Sequence, residues 1–231
     1  MATSKMTIPH IAAIRGYTLR ELAFEELRRA ILAGRFAPGE AITIRELAEQ
    51  MNLGVMPVRE GVQQLASLGA LEFLPNRSVR VPHHGQDELR KIFEARSLLE
   101  GYATEQAAAL ISPRDIATLR RLLKMMKFTA SPVDSREALE NNYRFHFTIY
   151  QASQSRYIVE MIEKLWLRIG PLHLLVFQAN LADQDEFFSV LPLHAELIDA
   201  LHAREGGRAG KIMRDLLQSS LGWYDSHALP T

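Results

Sequence analysis

The stretch TIRELAEQMNLGVMPVREGVQQLAS, Thr43 to Ser67, decides the fold. Thr43 and Glu46 are spaced so that each side chain reaches the other's backbone N–H, a capping box that opens a helix. That helix runs about two turns, to Gln50, before Asn52-Leu53-Gly54 breaks it. Pro57 suits the first turn of the next helix, where its missing N–H costs nothing. Val58, Val62, Leu65 and Ala66 then give one apolar face, while Arg59, Glu60, Gln63, Gln64 and Ser67 fall on the other. Two helices across a tight turn, the first short and bracing and the second polar on its outer edge, form a helix-turn-helix.

Working outward, Leu19, Leu22, Ala23, Leu27, Ala30 and Ile31 recur at three- and four-residue steps and predict a preceding helix from Thr18 to Gly34. Phe36-Ala37-Pro38-Gly39 reads as a turn. Downstream, Leu71-Glu72-Phe73-Leu74 and Ser78-Val79-Arg80-Val81 read as two short strands around Pro75-Asn76-Arg77. Three helices and a hairpin make a winged helix-turn-helix. After Pro82-His83-His84-Gly85 the pattern is purely helical, with helices expected near 87–110, 113–127, 134–153, 155–179, 185–204 and 207–224. Ser112-Pro113 is an N-cap with proline in the first turn, and Gly206-Gly207 is expected to separate the last two helices. The fold class is mainly α: a winged helix-turn-helix over 17–84, an all-helical bundle over 85–231, and a flexible arm over 1–16. The leucine and methionine rows in 119–126 and 158–167 are bundle packing, some of it available for a dimer seam.

The chain of 231 residues has no cysteine, which excludes disulfides, thiolate metal sites and cysteine nucleophiles and suits a cytoplasmic protein. It has 27 Lys+Arg against 27 Asp+Glu, so any nucleic-acid affinity must come from a local basic face rather than the total. No apolar run is long enough to cross a bilayer, and Met1 to His10 lacks the apolar core of a signal peptide.

Arg59, near the start of the third helix, is placed for a phosphate or a guanine edge. Gln63 and Gln64 suit adenine or phosphate contacts. Arg45 on the brace helix, with Arg77 and Arg80 on the wing, suits backbone or minor-groove contacts. On periodicity alone these residues fit equally well as solvated surface side chains.

The stretch Ala23 to Gly34 (AFEELRRAILAG), then Pro38-Gly39-Glu40, Arg45-Glu46-Leu47-Ala48, Pro57-Val58-Arg59-Glu60 and Pro75-Asn76-Arg77, resembles the reader domain of the GntR family, in order and spacing, over roughly residues 17 to 84. The resemblance implies a DNA-binding role. Two positions depart from it. Gly54-Val55-Met56 stands where the family usually has Ser-Arg-Thr, so Val55 replaces an arginine used on DNA, and Ser78 stands where the wing usually has glycine. Both departures imply an operator unlike that of typical relatives.

The helical half resembles the FCD domain of the FadR subfamily through Glu94-Ala95-Arg96-Ser97-Leu98-Leu99-Glu100, Phe145-His146 and the run His194 to Leu201 (HAELIDAL). That resemblance implies a bundle that dimerises and binds a small metabolite, often a carboxylate. Many such domains hold a divalent metal through an Asp, a His one helical turn later and two further His. Here those positions read Asn142, His146, His194 and Leu216, so at most His146 and His194 remain as ligands of a degenerate site. The two histidines also fit direct contact with an anionic effector, or buried core positions. Arg96 matches a carboxylate in two parallel hydrogen bonds, unless it pairs with Glu94 or Glu100. Arg168 and His173 are further candidates, while Phe145, Trp166 and Phe177 are expected to fill core.

The expected function is therefore a transcription regulator: a homodimer on a double-stranded DNA operator, controlled by a small organic acid. An enzyme using His146 and His194 as acid, base or metal ligands is a second reading, unsupported by any nucleophile motif, phosphate loop or paired-carboxylate signature. A protein-binding module with impaired DNA binding, suggested by Val55, is a third.

Overall fold

A computed structural model describes residues 18–37, 39–75, 78–128, 135–182 and 184–227. Helix α1 spans Leu19–Leu32, with Thr18 and Glu21 closing a capping box at its start. A strand the sequence reading does not anticipate, β1 (Ala41–Thr43), leads directly into α2 (Ile44–Gln50). Thr43 is both the last residue of that strand and the N-cap of α2. Its hydroxyl accepts from the Glu46 N–H at 3.1 Å, and the Glu46 carboxylate accepts from the Thr43 N–H at 2.8 Å. Helix α3 spans Val55–Ser67, starting two residues before Pro57, with Gly54 at the N-cap.

Strands β2 (Glu72–Phe73) and β3 (Ser78–Arg80) form the expected hairpin, and β1 pairs with the far side of β3 to give the order β1-β3-β2. Ile42 lies opposite Val79 and Thr43 opposite Ser78. The wing is therefore tied to the start of the brace helix. Val58, Val62 and Leu65 of α3 are fully buried with Ala23, Leu27 and Ile31 of α1. The two helices touch closely: a Cβ at Gly61 would lie 2.9 Å from the Phe24 backbone nitrogen.

The remainder is helical: α4 (Gln86–Leu110), α5 (Pro113–Phe128), α6 (Ser135–Ala152), α7 (Arg156–Ala182), α8 (Gln184–His202) and α9 (Gly206–Ser226). Pro171 and Pro192 sit inside α7 and α8. Gly206 is the first residue of α9 rather than part of a spacer; the turn before it is made by Arg204, which adopts φ 60°. Glycines let α4 and α9 meet backbone to backbone. A Cβ at Gly210 would lie 2.9 Å from the Gly101 carbonyl oxygen, and one at Gly206 2.8 Å from that of Glu105. Leu119, Leu122, Leu123 and Met126 of α5 are buried, as the bundle-packing reading expects, whereas Met161 of α7 is exposed. No helix of the described residues is long and apolar enough to cross a membrane.

Candidate functional site

Two regions carry polar chemistry. The first is the outer edge of α3. Burial of Val58, Val62 and Leu65 turns Gln63 to solvent, with Arg59 and Gln64 half-buried. Arg20 of α1 reaches the Gln64 side-chain oxygen at 3.5 Å. Arg45 is well exposed at the start of α2 and pairs with Glu49 at 3.0 Å. Arg80 of the wing pairs with Glu72 on the neighbouring strand. Arg77 lies outside the described residues. Each described basic residue on the wing and brace thus carries an acidic partner that a phosphate would have to displace. Exposed pairs of this kind are worth about 0–1 kcal/mol, so the exchange is cheap.

The second region is a buried polar cluster where α4, α6, α7, α8 and α9 converge. Arg96 and Glu100 are one helical turn apart on α4 and almost wholly inaccessible. Arg96 donates through Nε to Oε1 of Glu100 at 2.6 Å and through Nη2 to Oε2 at 3.4 Å. The same carboxylate accepts from Trp166 Nε1 at 3.0 Å and from the Tyr150 hydroxyl. The Arg96 guanidinium also lies 4.8 Å from the ring centres of both Phe93 and Trp166. Arg96 is therefore not a free fork: Glu100 takes two of its donors, and Glu94 is exposed and uninvolved. Its Nη1 remains buried without a partner.

His146 follows Asn142 by one turn of α6, and both are buried. The His146 ring lies 5.6 Å from that of His194 and 5.4 Å from Trp166. His173 stacks on Trp166, its ring 5.2 Å away and tilted by only 8°. The hydrogen-bond partners fix the tautomers. His173 Nδ1 faces the Ile169 carbonyl at 3.1 Å and His194 Nδ1 faces the Val190 carbonyl at 2.9 Å, so each Nδ1 carries the proton. Tyr150 donates its only proton to Glu100, so its oxygen accepts from His146 Nδ1 at 3.1 Å. All three Nε2 atoms are left as bare lone pairs. That of His194 is buried without a partner. Burial keeps the three imidazoles neutral: it pushes His146 well below its ordinary value, helped by His194, Arg96 and His173, lowers His194, and takes His173 to about 3. Burial and the adjacent Glu100 hold the Tyr150 hydroxyl protonated.

A metal does not fit this donor set. Leu216 is a buried hydrocarbon at the position of one implied ligand, and Asn142 is a weak donor at another. His146 and His194 alone fall short of the three or four donors a transition metal needs. Among the described residues, no group of three His, Asp or Glu side chains is placed to hold an ion.

Arg168 lies apart from the cluster. Its Nε donates to the Leu68 carbonyl at 3.3 Å, beyond the end of α3, and its guanidinium packs over Gly69. The sequence reading offers it as an effector contact; two residues past Trp166, it points about 200° round the helix. It belongs instead to the contact between the two halves. There Arg28 of α1 pairs with Glu163 of α7 and donates to Tyr143 of α6 at 3.4 Å. Tyr143 meets Trp166 edge-on at 5.8 Å, so one aromatic ring separates this contact from the buried cluster. Gly170 brings α7 against the end of α1, where a Cβ would sit 3.0 Å from the Ile31 carbonyl oxygen.

Sequence reasoning did not place Tyr150, Trp166 or Tyr224 in a polar site. Tyr150 was legible, since it continues the Asn142, His146 row at the same four-residue step. Trp166 was read as core, which it is, but its N–H is committed to Glu100. Tyr224 gives no local signal. Its hydroxyl is buried without a partner, and Phe93 packs against its ring at 5.7 Å. Phe145 fills core as expected, with its ring against both His146 and His194. Phe177 lies outside the residues whose side chains are described.

Residues 19–81 match the family described as "Bacterial regulatory proteins, gntR family", and residues 91–219 match the FCD domain family. The chain is 30% identical over 197 residues to the HTH-type transcriptional regulator McbR of Escherichia coli, covering 85% of this chain and 88% of that protein. It is 25% identical to the gluconate operon transcriptional repressor of Bacillus licheniformis, covering 85% of this chain and 77% of that one. The solved structure of E. coli McbR/YncC superposes with a TM-score of 0.83 at 28% identity, over 92% of this chain and all of that one.

Proposed function

Because the chain belongs to the GntR family of bacterial regulatory proteins and carries an FCD domain, it is a DNA-binding transcription regulator under small-molecule control, and we propose that Arg45, Arg59, Gln63, Gln64, Arg77 and Arg80 make its contacts with double-stranded DNA. The outward-facing polar edge of α3 supports this reading. The reader occupies 17–84 and the effector domain occupies 85–231. The protein acts in the cytoplasm as a homodimer on a pseudo-palindromic site. Exposed Leu98 and Tyr102 on α4, and Tyr157 and Met161 on α7, supply apolar surface for the seam. Arg59→Ala lowers affinity for a duplex selected from a random library, and if Arg59 meets a phosphate it flattens the log–log salt slope by about 0.9. Unchanged binding would remove Arg59 from the reader.

The effector site is the cluster of Arg96, Asn142, His146 and His194, and it works without a metal. The observation that carries this assignment is the presence of buried, unpartnered atoms, Arg96 Nη1 and His194 Nε2 with the Tyr224 hydroxyl as a third. Their polarity narrows the ligand class. Nη1 is a donor and suits a carboxylate oxygen, whereas the bare Nε2 is an acceptor that repels one and needs an O–H. The effector is thus an organic acid that also bears a hydroxyl. In a thermal-shift series with chelator present, hydroxyl-bearing carboxylates stabilise the chain and the matching plain carboxylates do not. A shift that requires divalent metal, or one that survives Arg96→Ala, would remove this assignment.

A further inference from the structure

Two apolar side chains stand where burial gives them no reason to be. Val55 and Met56 open α3, and they are 43% and 62% exposed. Isolated exposed apolar residues are ordinary. These two are adjacent, and they fall on the edge that carries Arg59 and Gln63, at steps of three and four residues. The opposite face of α3 is spent on Val58, Val62 and Leu65. The turn before them leaves this end of the helix open: Asn52 is exposed with φ 50°, and Gly54 caps α3 without a side-chain hydrogen bond.

The major groove offers one sizeable apolar group, the C5-methyl of thymine; apart from the small C5–H of cytosine, the base edges there present donors and acceptors. A valine and a methionine cannot satisfy those polar edges and would bury them unpaired. Resting on the reading that α3 enters the groove, we propose that Val55 and Met56 are specificity-determining residues that read thymine C5-methyl groups. Each half-site then carries thymine where the first turn of α3 meets the groove. Arg59, one turn further on, sets the neighbouring polar contact.

The test uses the full-length protein and duplexes it selects from a random library. Each thymine of a selected duplex is replaced singly by deoxyuridine, which removes only the methyl. Binding is measured for wild type, Val55→Ala and Met56→Ala. Both substitutions are at exposed positions and leave the melting temperature unchanged. One or two uracil positions per half-site weaken wild-type binding about fourfold each, the worth of one buried methyl. Met56→Ala or Val55→Ala loses sensitivity at the position its side chain reads. Uracil duplexes that bind wild type as well as the parent would overturn this proposal and leave DNA reading intact, as would equal losses in all three proteins. Failure to select any duplex would overturn the DNA contacts assigned to α3 and this proposal together.

Discussion

Glu100→Gln is the substitution whose consequence follows most directly from the buried cluster. The variant keeps the size of the side chain and removes its charge. Arg96 then loses the counter-charge now held at 2.6 Å and 3.4 Å, in a place water does not reach. The new amide also turns N–H groups toward Arg96, Tyr150 or Trp166, which all donate already. Leaving one member of a buried ion pair alone costs about 3–5 kcal/mol. For a chain of this length that corresponds to a fall of about 6–20 °C in melting temperature. Arg96→Met costs a similar amount, because it strands the carboxylate. The double variant, Arg96→Met with Glu100→Gln, strands neither charge. It therefore loses much less than the sum of the singles. Urea unfolding followed by tryptophan fluorescence suits the measurement, since Trp166 and Trp223 are the only tryptophans and both lie in the helical half. Additive losses, or a loss under about 1 kcal/mol for Glu100→Gln, would refute the coupling inferred from the geometry.

Acid should destabilise the bundle through its buried histidines. His173 titrates near 3 in the fold against 6.5 for the free side chain, so the unfolded chain binds more protons throughout that interval and stability falls as pH drops below 6.5. At pH 4.5 His173 alone removes about 3 kcal/mol, and His146 acts in the same direction; a urea midpoint that is flat from pH 7 to 4.5 would contradict this. Gly61→Ala forces α1 away from α3, at a cost of about 1–3 kcal/mol confined to the reader, which hydrogen exchange should show as faster opening of α1 and α3 with the bundle unchanged. Arg28→Met removes the pairing with Glu163 and Tyr143. It should speed exchange in α1 and weaken the effector's influence on DNA affinity while free-protein DNA binding persists; an intact response would place the coupling elsewhere.

Most of the architecture was readable because its signals are local. The Thr43–Glu46 capping box, the break at Asn52 to Gly54 and the period of Val58, Val62 and Leu65 need nothing beyond neighbouring residues. Strand β1 was not readable, because three residues give no alternation to detect and its existence depends on β3, some 35 residues away in the chain. The candidate effector site divides in the same way. Arg96 with Glu100, and His146 with Asn142, share faces at a four-residue step and could be paired from sequence. Their meeting with Trp166, His173, His194 and Tyr224 depends on how five helices cross. Arg168 shows the cost of judging by proximity in sequence: two positions from Trp166, it serves the opposite side of the same helix.

The glycine crossing of α4 and α9 constrains how any signal can travel. With Gly101 against Gly210 and Glu105 against Gly206 the two backbones leave no room for a side chain between them, so the pair would move together, as a single doubled beam. Arg96 and Tyr224 are mounted on that beam. Were a molecule to lodge against them, the close crossing would resist displacement and leave α6, α7 and α8 to take it up. Of these, α7 is the one whose Glu163, Arg168 and Gly170 rest on α1 and the end of α3. On the proposed effector site, a shift of α7 would thereby be carried to α1 and the end of α3, in the half proposed to meet DNA.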